Sequence, residues 1–438
     1  MITIGKHPAI GFVNRVTADK YPAADTCTRI NTMVVREMTN SATMNRMTNP
    51  LGHQVVKLIP ASFTRVIFAL LATFASSVAM AAPPATPTGL CIDSSSGTLC
   101  AAPPSAGTSN IIAPKSVNPQ NFHPGHYMMV GIHDSIPEFG KIINNPNVVG
   151  IKKVYTWVDI EPAEGIYDFT EIESDLAYLE SIGKRLWIFV LDTTWNSSYN
   201  PKTPVYMWSN PKYGCDSRHY GNYERSAQQG GWLPCIWNKN VQSRRAALYQ
   251  ALGKKFNNEP YFEGINLGET STGVANAAWG YSTESVRTAF MANALALKKA
   301  FPDKSVIQYI NWAPFDLAPF AAELAQNGIG IGGPDIYLLP EKQSIRDTTY
   351  PLQLQYHNDV PITIDAQGAE FMRINSDLGR PNNAAELLQG AIDLINPWYM
   401  FWIDIEPYIS NDTLPTLDKY GSLPAAKLFY NSLSLQTP

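Results

Sequence analysis

The sequence predicts an α/β protein folded as a (β/α)8 TIM barrel, a single barrel domain behind a signal peptide and a linker. Three observations predict it. Eight β-like segments follow Gly125, most of the gaps between them carry a helical pattern, and some segments are apolar throughout, as strands covered on both faces are.

The clearest unit runs from Tyr155 to Trp195. Lys152 to Ile160 alternates and is rich in β-branched and aromatic residues; Ile172, Leu176, Leu179 and Ile182 then recur at helical spacing, with Gly183 as the expected stop. Leu186 to Leu191 is a continuous apolar run. Two such strands joined by a helical crossover pair in parallel. The full set of strands is expected at 126–134, 150–160, 185–192, 262–269, 305–311, 329–339, 360–367 and 399–406, with helices at Val286 to Ala300, Pro314 to Asn327 and Asn383 to Ile395. A doubly wound open sheet is the rival, but no glycine-rich nucleotide fingerprint follows the first strand.

Ahead of the barrel the chain reads as processing signal. Lys57 and Arg65 precede the apolar run Val66 to Ala72, and Ala79-Met80-Ala81 offers the small residues a signal peptidase requires. The run is too short to span a bilayer. The expected organisation is an over-extended or disordered N-terminus at 1–46, a signal peptide at 47–81, a Pro/Ser/Ala-rich linker at 82–118 and the barrel at 119–438. Export to a secreted or periplasmic location follows, without stable membrane insertion. Cys91, Cys100, Cys215 and Cys235 lie beyond the cleavage site, an even number in an oxidising compartment, and proximity pairs Cys91 with Cys100 and Cys215 with Cys235.

With 438 residues, 45% of them hydrophobic and 16% charged, the chain can bury a large core. A net charge of −4 supplies no basic field for a polyanion, which argues against nucleic acid as a partner. No CxxC pairs or histidine clusters call for a metal, and no cofactor is expected.

In such a barrel the loops after each strand converge on one pocket. Polar and aromatic residues crowd those strand ends: His133, Trp157, Asp192, Trp195, Asn266, Glu269, Trp312, Tyr337, Asp365, Gln367, Trp402 and Asp404. Cleaving a glycosidic bond takes one carboxylic acid to protonate the leaving oxygen and a second carboxylate to attack or to activate water. Aromatic faces stack on the apolar patches of sugar rings, so acids among indoles and phenols suit a carbohydrate pocket.

The stretch WVDIEPAEGIYDF, Trp157 to Phe169, resembles the W-x-x-x-E-P-x-x-G-x-Y-D-F pattern after the second strand of several clan A glycoside hydrolase families. That resemblance implies an acid/base glutamate ending strand four and a nucleophilic glutamate ending strand seven. Glu269 in INLGETS takes the first position, with Gly268 where asparagine is usual and Asn266 two residues further back. Strand seven, PITIDAQG, lacks the glutamate and offers Asp365 or, past the strand, Glu370.

Alternation selects among the acids. Thr363, Asp365 and Gln367 share one face of strand seven and are assigned to the lumen, which points Asp365 into the pocket. The same parity on strand eight groups Trp402, Asp404 and Glu406, making Asp404 a reserve partner for Glu269. The catalytic candidates are therefore Glu269, Asp365 and Asp404, and the substrate-binding candidates His133, Trp157, Asp192, Trp195, Asn266, Trp312, Tyr337, Gln367 and Trp402. Glu161 of the EP pair reads as a structural carboxylate that fixes a turn.

Asn196 to Asn240, after strand three, is a long insertion rich in tyrosine and tryptophan, expected to wall a cleft for an oligosaccharide or polysaccharide. The rival function is a catalytically inactive carbohydrate-binding barrel of the cell surface or matrix, for which the anomalous strand seven is the pointer.

Overall fold

A computed structural model describes residues 113–194, 199–208, 210–214, 221–226, 229–272 and 280–434. The expected signal peptide, the Cys91 to Cys100 pair, Cys215 and Trp195 lie outside these residues.

Eight parallel strands close into a barrel: β1 (Gly125–Val130), β2 (Val148–Thr156), β3 (Arg185–Leu191), β4 (Phe262–Glu269), β5 (Ser305–Tyr309), β6 (Gly330–Gly333), β7 (Ile362–Ala366) and β8 (Tyr399–Ile403). Each pairs with its sequence neighbours, and β8 returns to β1 through the register Gly125 with Tyr399 to Met129 with Ile403. All eight fall inside or within two residues of the segments expected from sequence. The strand expected at 329–339 is much shorter, because Pro334 ends it and the following residues form a loop and a 3-10 turn, Pro340–Lys342.

Helices α1 (Thr170–Ser181), α2 (Lys239–Phe256), α3 (Thr283–Ala300), α4 (Leu317–Gln326), α5 (Gln343–Gln355) and α6 (Ala384–Ile395) fill the gaps after β2 to β7, and α7 (Leu414–Tyr420) and α8 (Pro424–Ser434) follow β8. Their ends are written in the sequence. Ser282 and Ser285 make a reciprocal cap for α3, Asn383 and Glu386 do so for α6, and Asn396 stops α6 in the left-handed conformation at φ 44°. In α1, Ile172, Leu176 and Leu179 are buried as their spacing predicts, and Gly183, just past its end, takes φ 69°. Among the described residues no helix is long and apolar enough to cross a membrane.

The lower barrel interior is aromatic. Trp187 packs against Tyr399 at 5.0 Å, Phe401 at 5.1 Å and Tyr127 at 6.3 Å between ring centroids. Gly264 makes room for it, since a Cβ there would sit 2.7 Å from the Trp187 ring and 2.6 Å from the Ser305 carbonyl. Below lies a buried carboxylate, Glu263. It accepts from the backbone N–H of His123 at 2.7 Å and the Tyr399 hydroxyl at 2.5 Å, with the His123 ring at 2.9 Å and Arg185 at 3.7 Å.

The aromatic insertion contributes an antiparallel hairpin, 221–226 with 229–233, anchored where Thr194 N–H donates to the Trp232 carbonyl at 2.9 Å. Cys235 is buried beside it.

Candidate active site at the barrel mouth

Glu269 of β4 and Asp365 of β7, with two strands between them, line one cavity of about 550 Å³ at the C-terminal ends of the strands. Gln367, Tyr309, Asp192 and Lys202 also line it.

Glu269 reaches the lumen through a β-bulge. Through Leu267 and Gln308 the two strands pair residue for residue; Glu269 then pairs with Tyr309, leaving Gly268 as the extra residue. In unbroken alternation Gly268 would share the lumen face with Asn266, and Glu269 would turn toward the helices. The bulge restores it to the Tyr309 side. The Gln308 amide holds the bulge by donating to the Gly268 carbonyl at 2.7 Å, and Asn311 Nδ2 donates to Glu269 Oε2 at 2.6 Å.

Asp365 is buried at 1% exposure in a three-member network. Lys152 Nζ, from the middle of β2, donates to its Oδ2 at 2.6 Å, and the Tyr309 hydroxyl donates to its Oδ1 at 2.6 Å. Lys152 also lies over the rings of Phe401 at 4.4 Å and Tyr309 at 4.9 Å. Burial pushes the Asp365 carboxyl upward more than Lys152 and Tyr309 pull it down, and the charge of Glu269 adds to the rise. Burial likewise lowers Lys152, with Asp365 opposing.

Several candidate side chains stand elsewhere. Trp402 is on the outer face: its indole N–H meets the His126 ring at 3.1 Å, while its neighbour Phe401 packs in the lumen on Trp187 and Lys152. The strand-eight parity is thus the reverse of that expected. Asp404 lies past the end of β8, donates its backbone N–H to the Met129 carbonyl, and is absent from the cavity wall. Trp157 is 1% exposed and serves Glu161, to whose Oε2 its indole donates at 2.7 Å. Glu161 also accepts from Gly165 N–H, the Tyr206 hydroxyl and Arg244, so the EP motif is a buried structural knot pinned by the aromatic insertion. His133, at φ 61°, faces Asp159 and Glu171 in a separate outer depression.

Asn266 faces the lumen below the cavity and accepts from the Trp187 indole at 3.1 Å. Asp192 lines the cavity but is ion-paired with the buried Arg245 of α2. Gln367 is held by donating to the Pro334 carbonyl at 2.7 Å. Trp312 and Tyr337 do not line the cavity: Trp312, just past β5, is 45% exposed and borders a separate depression with Phe315, and the Lys342 ammonium sits 5.5 Å from the ring centres of both.

A second carboxyl pair lies behind the mouth. Tyr337 donates its hydroxyl to Asp335 at 2.8 Å, and Glu370, 2% exposed, is pushed up to about 9 by burial and then by the charge of Asp335. Sequence reasoning missed Lys152, Tyr309, Gln308 and Arg245. Lys152 left one signal, a lysine inside a strand otherwise reading as buried.

A closed eight-stranded parallel barrel carrying two carboxylates at its mouth is the class of protein that fold and site define. Among solved structures, the chain is similar to the catalytic domain of β-amylase from Paenibacillus polymyxa, at 9% identity over 72% of this chain and 100% of that one, TM-score 0.47. It is similar to endo-glycoceramidase II from Rhodococcus sp., at 11% identity over 72% and 80%, TM-score 0.47. An exo-β-1,4-mannosidase from Opitutaceae bacterium strain TAV5 follows at 11% identity over 73% and 62%, TM-score 0.41. No family model matches the chain. No curated protein matches it either.

Proposed function

We propose that the protein is an exported glycoside hydrolase that cleaves O-glycosidic bonds in an oligo- or polysaccharide by two-carboxylate chemistry. The observation that carries this reading is that Glu269 and Asp365, from β4 and β7, line one mouth cavity. Glu269, half-buried and oriented by Asn311, is the proton donor to the leaving oxygen. Asp365, with Lys152 and Tyr309 to hold its negative charge, is the second carboxylate, attacking the anomeric carbon or activating water. In this reading residues 47–81 are removed on export, and Cys215 pairs with Cys235 to pin the insertion beside the cavity.

Reducing-sugar release from a polysaccharide panel tests it. Release by the wild type that falls by about 10²–10⁴-fold in Glu269→Gln is the expected result. A second reading, a carbohydrate-binding barrel without hydrolysis, is favoured by the depth of Asp365 in its ion pair. Polysaccharide binding with no sugar release in the wild type would select it.

A further inference from the structure

The cavity has a second end. It passes from the carboxylates over the tops of β3 and β4 into the space between those strands and helices α2 and α3, where its wall includes Val190, Leu233, Ile236, Tyr249, Leu267 and Phe290, with the charge of Arg245 one turn from Tyr249 taken up by its ion pair with Asp192. Val190 and Leu267 face away from the lumen, since their neighbours Phe189 and Asn266 face into it, toward Lys152 and Trp187. The chamber therefore lies outside the barrel proper and opens to it beside Glu269.

Hydroxyl-rich sugar rings fit such a wall badly, because each buried hydroxyl left without a partner costs about 1–3 kcal/mol. Hydrocarbon fits it well. Asn293 of α3 also lines the chamber, and its buried Nδ2 has no hydrogen-bond partner among the described residues. An apolar wall with one or a few polar groups is the usual make-up of a small-molecule site.

Building on the hydrolase reading, we infer that this chamber binds the hydrocarbon part of an alkyl or aryl leaving group, with the Asn293 amide donating to an oxygen near its head. The substrate class is then a glycoside with an apolar aglycone, its sugar held at the lumen end and its scissile oxygen beside Glu269.

A series of straight-chain primary alcohols, the aglycones without sugar, tests the chamber independently of hydrolysis by titration calorimetry on the full chain. Affinity in the wild type is expected to climb by up to roughly fourfold per methylene. Val190→Phe, which fills the chamber, should flatten that climb, and Asn293→Leu should weaken every alcohol by a similar factor while keeping the slope. Should Val190→Phe fail to fold, Val190→Leu makes the same test with a smaller loss. Affinity independent of chain length in the wild type, or an unchanged slope in a folded Val190 variant, overturns the assignment. The outcomes separate the two readings. Flat alcohol binding with Glu269-dependent sugar release intact removes the aglycone site alone, whereas a steep slope with no release from matched alkyl glycosides keeps the chamber as a binding site and removes the hydrolase.

Discussion

Glu263 and Asp365 are both buried carboxylates of one barrel, yet their acidities move in opposite directions. Burial pushes Glu263 up, but the hydrogen bond and charge of His123, the charge of Arg185 and the Tyr399 hydroxyl together carry it below its ordinary value. Asp365 has a single cation, itself desolvated, and one hydroxyl, and it ends above. The base of the barrel thus holds a carboxylate satisfied for stability, and the mouth holds one left underfilled beside a second acid. That division matches the usual partition of such barrels, stability below and chemistry above.

The contrast is broken most directly at the mouth. Glu269→Gln should cut sugar release by about 10²–10⁴-fold without lowering the melting temperature, whereas Glu263→Gln should leave kcat near wild type and lower stability; loss of kcat in the second and not the first would invert the assignment. Next in size, Lys152→Met should cost about 3–5 kcal/mol in denaturant unfolding because it strands Asp365, and Lys152→Met with Asp365→Leu should recover much of that loss. No recovery in the double variant would mean that Lys152 acts through packing on Phe401 alone.

The pH dependence sharpens the same comparison. The depressed Glu263 adds stability that is present above its unfolded pKa and lost as pH falls through its folded one, so Glu263→Gln should flatten the acid limb of the stability profile. Glu370, raised from 4.5 to about 9, does the reverse. Stability falls as pH rises through that window, and Glu370→Gln should remove the slope and raise the melting temperature at pH 8. Identical slopes in variant and wild type would show that Glu370 does not carry it. Smallest of all, Trp312→Ala at its exposed position just past β5 should change stability by less than about 0.5 kcal/mol while raising KM for a polymeric substrate.

The eight strands were legible because each is an apolar or alternating run bounded by turn residues, and so was the lumen facing of Thr363 and Asp365. Strand eight misled for a definite reason. Asp404 and Glu406 lie beyond Ile403, where the strand has ended, so their polarity carried no information about which face of β8 meets the lumen. The motif at Trp157 and Glu161 was visible, but its side chains turn inward to one another. Lys152 and Asp365 are 213 residues apart, and nothing local to either announces the pair. The bulge at Gly268 leaves only a glycine as its trace.

That extra residue makes the direction of Glu269 a matter of counting. Were Gly268 to take the pairing opposite Tyr309, closing the bulge, the glutamate would move on by one step and aim at the surrounding helices, with every earlier side chain of the strand unchanged. The proposed acid is therefore fixed by backbone phase as much as by its own chemistry, and a one-residue shift of pairing at the end of this strand would silence the barrel while its hydrophobic interior stays whole.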